Sequence, residues 1–207
     1  MNTPQISARI AAGLLLATAA LSATGADYLP LSGGTFRSVP PADGLSSPAR
    51  IAPFQLRSKP VTNAEFREFV LSNPQWQRGQ APGLFVSPEY LRAWQGPLNF
   101  SPLAAQAPVT QVSWFAAQAF CASEQARLPR WYEWEMAAAA DETRSDARDD
   151  PQWLARILNW YARPAKQPPQ AIGLEPANFY GLYDLHGLTW EWVEDFNGLF
   201  VSADSRV

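Results

Sequence analysis

Short apolar–polar alternation opens the main part of the chain and gives way to helical spacing further on. Residues 27–44, DYLPLSGGTFRSVPPADG, carry apolar side chains at short intervals around Gly33 and Gly34, which predicts a strand and a turn. Residues 50–62, RIAPFQLRSKPVT, predict a second strand, with Ile51, Pro53 and Gln55 on one side and Phe54 and Leu56 beside them. The period then changes. Thr62 or Asn63 stands where a helix needs an N-cap, Glu65 follows, and Phe66, Phe69 and Val70 fall at i, i+3 and i+4 spacing. Pro74 and Trp76 end that helix. Residues 74–107 contain Pro82, Pro88, Pro97 and Pro102 and show little periodicity; a stretch of that length is either functional or padded with short elements of its own.

Helical spacing returns at Ser113–Gln125. Ser113 can cap this helix, and Trp114, Ala117, Phe120 and Cys121 form its apolar stripe, where a cysteine acts as a small buried hydrophobe. Arg127-Leu128-Pro129 breaks the pattern before WYEWEMAAAA starts a third helix. The charged run from Asp141 to Asp150 reads as a solvated connection.

Composition narrows the function. With 47% hydrophobic and 17% charged residues in 207, the chain is globular and long enough for one domain with a substantial core. Nine Trp and 19 Pro point to loops and buried aromatics rather than long regular elements. A net charge of -3 and the lack of any Lys/Arg cluster exclude a phosphate track for nucleic acid. Residues 1–26 read as a cleaved secretory signal, with an uncleaved N-terminal anchor as the competing reading: Arg9, then an apolar stretch from Ile10 to Leu21 too short to span a bilayer, then small residues to Ala26. The expectation is a periplasmic or secreted protein of residues 27–207, with no stable membrane span after cleavage. Cys121 is the single cysteine and cannot form an internal disulfide. His186 is the single histidine, read as a solvated loop residue, so no Ser/His/Asp or metal–histidine arrangement can be assembled.

The densest stretch is Asn178–Asp195, NFYGLYDLHGLTWEWVED, with five aromatic rings, two glycines and four carboxylates in eighteen residues. From Gly187 it has a hint of period two, which places Gly187, Thr189 and Glu191 on one side and Leu188, Trp190 and Trp192 on the other. Asp184 stands just before the turn, able to point back at the first side. Two carboxylates and alternate carbonyls would make an all-oxygen cluster suited to a hard cation such as calcium. The alternative is a tight turn whose carboxylates cap backbone N–H groups.

GLYDLHGLTWEWVED resembles the GLYDM-x-GN-x-WEW-x-D signature of the formylglycine-generating enzyme (sulfatase-modifying factor) family. KPVTNAEFREFV at 59–70 and PVTQVSWFAAQAFCASEQARLPRWYEWEMAAAA at 108–140 resemble two further motifs of that family, in the family's order. The resemblance implies an α+β domain of the formylglycine-generating-enzyme fold, a variant of the C-type lectin scaffold with short helices, small sheets and much irregular chain. It also implies a calcium site in which Asp184 and Glu191 give side-chain oxygens and Leu185, Gly187 and Thr189 give carbonyls. Leu188 departs from the family's Asn, and Arg130 departs from its usual Thr, which removes the N-cap expected for the third helix. A second calcium site of some members, beginning at a position resembling Asn159-Trp160, lacks its acidic residues here.

Catalysis in the family uses two copper-binding cysteines near the C-terminus. Copper(I) prefers soft thiolates, and Cys121 alone, on a different motif, cannot supply them. The family's closing RGGS-W segment is also missing, so a C-terminally truncated member is expected, with exposed Trp surface. Two function classes stay open. One is an accessory or maturation factor for another exported metalloenzyme, the branch associated with copper nitrite reductases being the most similar. The other is a non-catalytic module that binds a ligand, peptide or protein partner.

Overall fold

The computed structural model describes residues 27–38, 48–100, 105–164 and 169–196; the expected signal segment 1–26 and residues 197–207 lie outside them. Each predicted strand is two. β1 (Tyr28–Leu31) pairs antiparallel with β4 (Phe54–Arg57), and β2 (Gly34–Phe36) pairs antiparallel with β3 (Ala49–Ile51). Leu31 faces Phe54 and Gly34 faces Ile51, so both ladders follow one hairpin register, interrupted at residues 32–33 and 52–53. Two features explain the break. Pro53 has no N–H to donate to a ladder. Gly33 holds a left-handed φ of +67°, and a Cβ there would lie 2.3 Å from the Ile51 carbonyl oxygen.

Helix α1 (Asn63–Ser72) begins as its sequence predicts, with Thr62 as N-cap. The Thr62 hydroxyl accepts from Glu65 N–H, while Glu65 Oε2 accepts from Thr62 N–H at 2.8 Å. Asn63 lies inside the helix, where it accepts a hydrogen bond from the buried Trp94 indole at 2.8 Å. Phe66, Phe69 and Val70 face a core shared with Phe120 of α2 (Trp114–Ser123), capped by Ser113. The proline-rich stretch 74–107 is padding in the best sense of the word: after a 3-10 turn at Pro74–Trp76, its Tyr90, Leu91 and Trp94 complete this same core.

A second core lies against the hairpin. Helix α3 (Trp131–Ala138) places Met136 and Ala137 against Phe36, Ile51, Leu31 and Leu182. The start of α3 is less bare than expected. Arg130 gives no side-chain cap, yet Glu133 still reaches back to Arg130 N–H at 2.8 Å, and Asp195 accepts from Trp131 N–H at 2.8 Å from far along the chain.

Two readings need correction. The run 141–150 is not simply solvated. Asp141 is buried and accepts from Thr143 N–H (2.8 Å), Arg144 N–H (2.6 Å) and the Arg144 guanidinium, which holds its carboxyl well below the usual range. The next segment forms α4 (Pro151–Tyr161), which the sequence reading missed. Its signals were present: Asp150 caps it, Pro151 opens it, and Trp153, Ile157 and Trp160 share a face.

Restoring a hydroxyl cap to α3 gives a direct test. Arg130→Thr removes only an exposed pairing with Glu194 (3.3 Å), worth little, and adds a cap worth about 1 kcal/mol. Urea unfolding is expected to show stabilisation of about that size; unchanged or lower stability would mean that Asp195 and Glu133 already satisfy the helix end.

Candidate functional site: the 178–195 stretch and the cavity beside it

Residues 178–195 run along α3 from its end back to its beginning. At the C-terminal end of α3 the Asn178 side-chain amide donates to the Ala137 carbonyl at 2.8 Å, while its own oxygen accepts from Tyr180 N–H and Leu182 N–H. This Asx-type turn, closed through Gly181 (φ +81°), drives Leu182 into the core. His186 follows. Its Nε2–H donates to the Ala138 carbonyl at 2.8 Å, and its ring meets the Trp134 and Trp153 rings edge-on at 5.9 and 5.8 Å. It is therefore a partly buried capping residue rather than a solvated one, and burial lowers its pKa, favouring the neutral ring.

The five residues expected to hold a cation are arranged as follows. Asp184 adopts φ +60° and accepts from Gly173 N–H at 2.5 Å; burial raises its pKa. The Gly187 carbonyl accepts from the Trp160 indole N–H. Leu185, Thr189 and Glu191 line a cavity. Glu191 accepts from the Trp134 indole N–H at 2.6 Å, and its carboxyl is pushed up to about 7, first by burial and further by the Asp184 charge. The Asp184 charge thus acts on Glu191, while Asp184 itself is raised by burial and by Glu175. Among the described residues no ion pair joins a cation to either within 4.0 Å, and no three His, Cys, Asp or Glu side chains are grouped as a metal site. A cation at this turn would take its remaining oxygens from carbonyls, one of which already receives the Trp160 bond.

No strand forms at 187–192, and the expected alternation survives as exposure only from Thr189 on, since Gly187 is exposed and Leu188 half-buried. Trp190 is 82% exposed and Glu191 turns inward; Val193 is buried. The stretch then fastens both cores together. The Trp192 indole donates to the Val112 carbonyl at 2.8 Å, and the Trp114 indole to the Val193 carbonyl at 2.9 Å. Trp134, Trp160 and His186 were missed as partners, because nothing in their spacing relates them to residues tens of positions away.

Between the two cores lies a cavity of about 520 Å³, which the sequence did not announce. At one end Tyr28 donates to Glu124 at 2.7 Å, and Arg57 pairs with Glu65 (2.7 Å) and Glu124 (3.5 Å). Cys121 lines the same wall, half-buried, and burial pushes its thiol up to about 11, with Glu124 adding to the shift. A thiol so placed stays protonated at neutral pH and is a poor nucleophile or metal ligand.

Comparison with known proteins agrees with this framework. Residues 16–199 match the family model described as sulfatase-modifying factor enzyme 1-like domain. The mouse protein "Inactive C-alpha-formylglycine-generating enzyme 2" is 31% identical over 205 residues, covering 79% of this chain and 67% of that protein. The hercynine oxygenase of Mycobacterium tuberculosis is 30% identical over 171 residues, 74% of this chain but only 39% of its own length. The formylglycine-generating enzyme of the same organism is 27% identical over 218 residues, covering 81% and 73%. The chain thus spans well under half of that oxygenase. With the family model covering most of its length and the signature stretch built into the core, the chain belongs to the sulfatase-modifying-factor family, which includes proteins similar to formylglycine-generating enzymes.

Proposed function

We propose that this chain is an exported accessory or maturation factor that acts by binding another protein or peptide, without copper-dependent cysteine oxidation of its own. The observation that carries this reading is the state of Cys121. The thiol sits on the cavity wall of α2 beside Glu124, and burial keeps it protonated. Copper(I) calls for thiolates. The similarity to a mouse protein named as inactive supports the same reading. Export rests on the character of residues 1–26, and the scaffold reading, a C-type-lectin-like variant, rests on the family resemblance.

A non-catalytic binding module is the alternative favoured by one observation, the exposed aromatic surface at Trp190, whose ring lies tilted against that of Tyr161 at 5.4 Å. Both readings share a structural role for calcium at the signature turn. Asp184 and Glu191 would supply carboxylate oxygens, with carbonyls of Leu185, Gly187 and Thr189 completing the set. The donor chemistry fits: both carboxyls are raised by burial and a positive ion would relieve both. Calcium held there would neutralise the turn and fix its shape.

The first test takes the protein from the exported fraction of its host. Intact mass is expected to place the N-terminus at or near Asp27, and the same sample, supplied with copper and a Cys-x-Pro-x-Arg peptide, is expected to form no aldehyde. Retention of Met1 contradicts the export reading. Turnover that disappears in Cys121→Ser contradicts the chemical one.

The second test is thermal unfolding after thorough chelation. Calcium at a hundredfold excess over its dissociation constant is expected to stabilise the fold by about 2.7 kcal/mol. Glu191→Ala should remove most of the response, and Glu194→Ala should retain it. A melting temperature indifferent to calcium in the unaltered protein would return the stretch to a capped turn with no bound cation.

A further inference from the structure

Three of the residues proposed to hold a cation already have an oxygen engaged by a neutral N–H donor. Asp184 Oδ2 accepts from Gly173 N–H at 2.5 Å, Glu191 Oε2 from the Trp134 indole at 2.6 Å, and the Gly187 carbonyl from the Trp160 indole. The three are not equivalent. A carboxylate has two oxygens and about four lone-pair sites, so Asp184 and Glu191 can keep their donors and still turn an oxygen to a cation. A carbonyl has one oxygen. At Gly187 the obstruction is steric as well. A Cβ built there would meet Trp160 Nε1 at 3.1 Å, Cδ1 at 3.3 Å and Cε2 at 3.5 Å, so the indole covers the residue whose oxygen it bonds. Calcium needs roughly six to eight oxygens at about 2.3–2.6 Å, and an N–H hydrogen aimed at one of them carries a partial charge of the cation's own sign.

The donors also differ in how freely they can leave. Gly173 gives a backbone N–H. Trp134 is held within α3, its ring stacked on Trp131 at 6.0 Å and set edge-on to His186. Trp160 stands in the last turn of α4, half-buried, two residues before the C-cap Ala162. Its indole can therefore exchange the Gly187 carbonyl for water without opening either core. The Trp160 ring meets Tyr161 edge-on at 4.6 Å, and Tyr161 lies against the exposed Trp190 at 5.4 Å. Trp190 in turn sits in the chain between Thr189 and Glu191. One indole thus touches both the turn and the exposed aromatic surface.

We propose that Trp160 is a positioning residue that gates the cation site of the signature turn, its indole and the cation competing for the Gly187 carbonyl. The proposal rests on the calcium reading of that turn. Without the cation, the indole ties the turn to the end of α4. With the cation on the carbonyl, the indole is released to solvent, and the surface formed by Tyr161 and Trp190 shifts with it. Coupling of this kind is reciprocal. Anything that presses Trp160 onto Gly187 weakens the cation, and a group that draws the aromatic surface away from the turn strengthens it.

The test titrates calcium by calorimetry into the full chain, freed of metal by chelation, and into Trp160→Phe and Tyr161→Phe. Trp160→Phe keeps an aromatic ring and removes the N–H. It is expected to bind calcium about fivefold more tightly, the worth of one neutral hydrogen bond. Tyr161→Phe, which keeps the indole, is expected to bind with the affinity of the unaltered protein. A packing role alone would make Trp160→Phe bind equally or more weakly. Nitrogen-15 spectra of the unaltered protein give a second readout. The indole N–H signal that is missing in Trp160→Phe is expected to shift and to exchange faster with water when calcium is added. That of Trp94, bound to Asn63 in the other core, should stay in place. Equal or weaker binding by Trp160→Phe, or a Trp160 signal unmoved at saturating calcium, overturns the gate and leaves the calcium reading standing. Absence of calcium binding in all three proteins overturns both.

Discussion

The structure depends on one constraint: an eight-residue helix cannot hold itself together. Short helices are marginal in water, because the first turn fixes several residues for a single hydrogen bond, and each end leaves four backbone groups unpaired. Helix α3 meets both problems through the signature stretch. Asn178 and His186 satisfy the carbonyls of Ala137 and Ala138 at one end, and Asp195 satisfies the N–H of Trp131 at the other. Glu191 takes the indole of Trp134 in between. The residues that resemble a family signature are therefore first of all a clamp on α3. Their chemistry, including any affinity for a cation, is exercised by groups that the clamp has already brought together.

The clamp also explains how two cores become one domain. Met136 and Ala137 of α3 pack on the hairpin, while α1, α2 and the 74–107 stretch form a core of their own. Indole hydrogen bonds from Trp114 and Trp192 tie the end of the signature stretch to the second of these. At the opposite side, Tyr28, Arg57, Glu65 and Glu124 join hairpin to helices. The cavity is the space these two sets of ties enclose. Its position between cores, rather than on the surface of one, is why it combines apolar walls with paired charges.

Much of this was legible in the sequence wherever the determinants are local. Thr62 and Glu65 fix the start of α1 within four residues, and Ser113 fixes that of α2, so short-range chemistry decided both. The split of each strand was harder to see, because it needs Gly33 to meet Ile51 across the hairpin. Asp141 looked solvated since its partner Arg144 is also charged, and only the fold shows that Asp141 turns inward while Arg144 stays exposed. His186 looked solvated for a similar reason: its partners, Ala138, Trp134 and Trp153, are brought near by α3 and α4. Of the expected cation residues, the structure lets the Asp184 charge act on Glu191 and sets Leu185, Thr189 and Glu191 among the lining of one cavity. It also gives the Gly187 carbonyl a partner, Trp160, which spacing could not reveal.

The claim that residues 178–195 clamp α3 is tested most directly by native-state hydrogen exchange on Asn178→Ala. The substitution removes the amide that caps Ala137 and the oxygen that shapes the turn to Leu182. The account predicts that amides of α3 and of 180–195 lose protection together, as one cooperative unit, while those of α1 keep theirs. Protection lost evenly across the whole chain, or lost at 178–182 alone with α3 untouched, would contradict it.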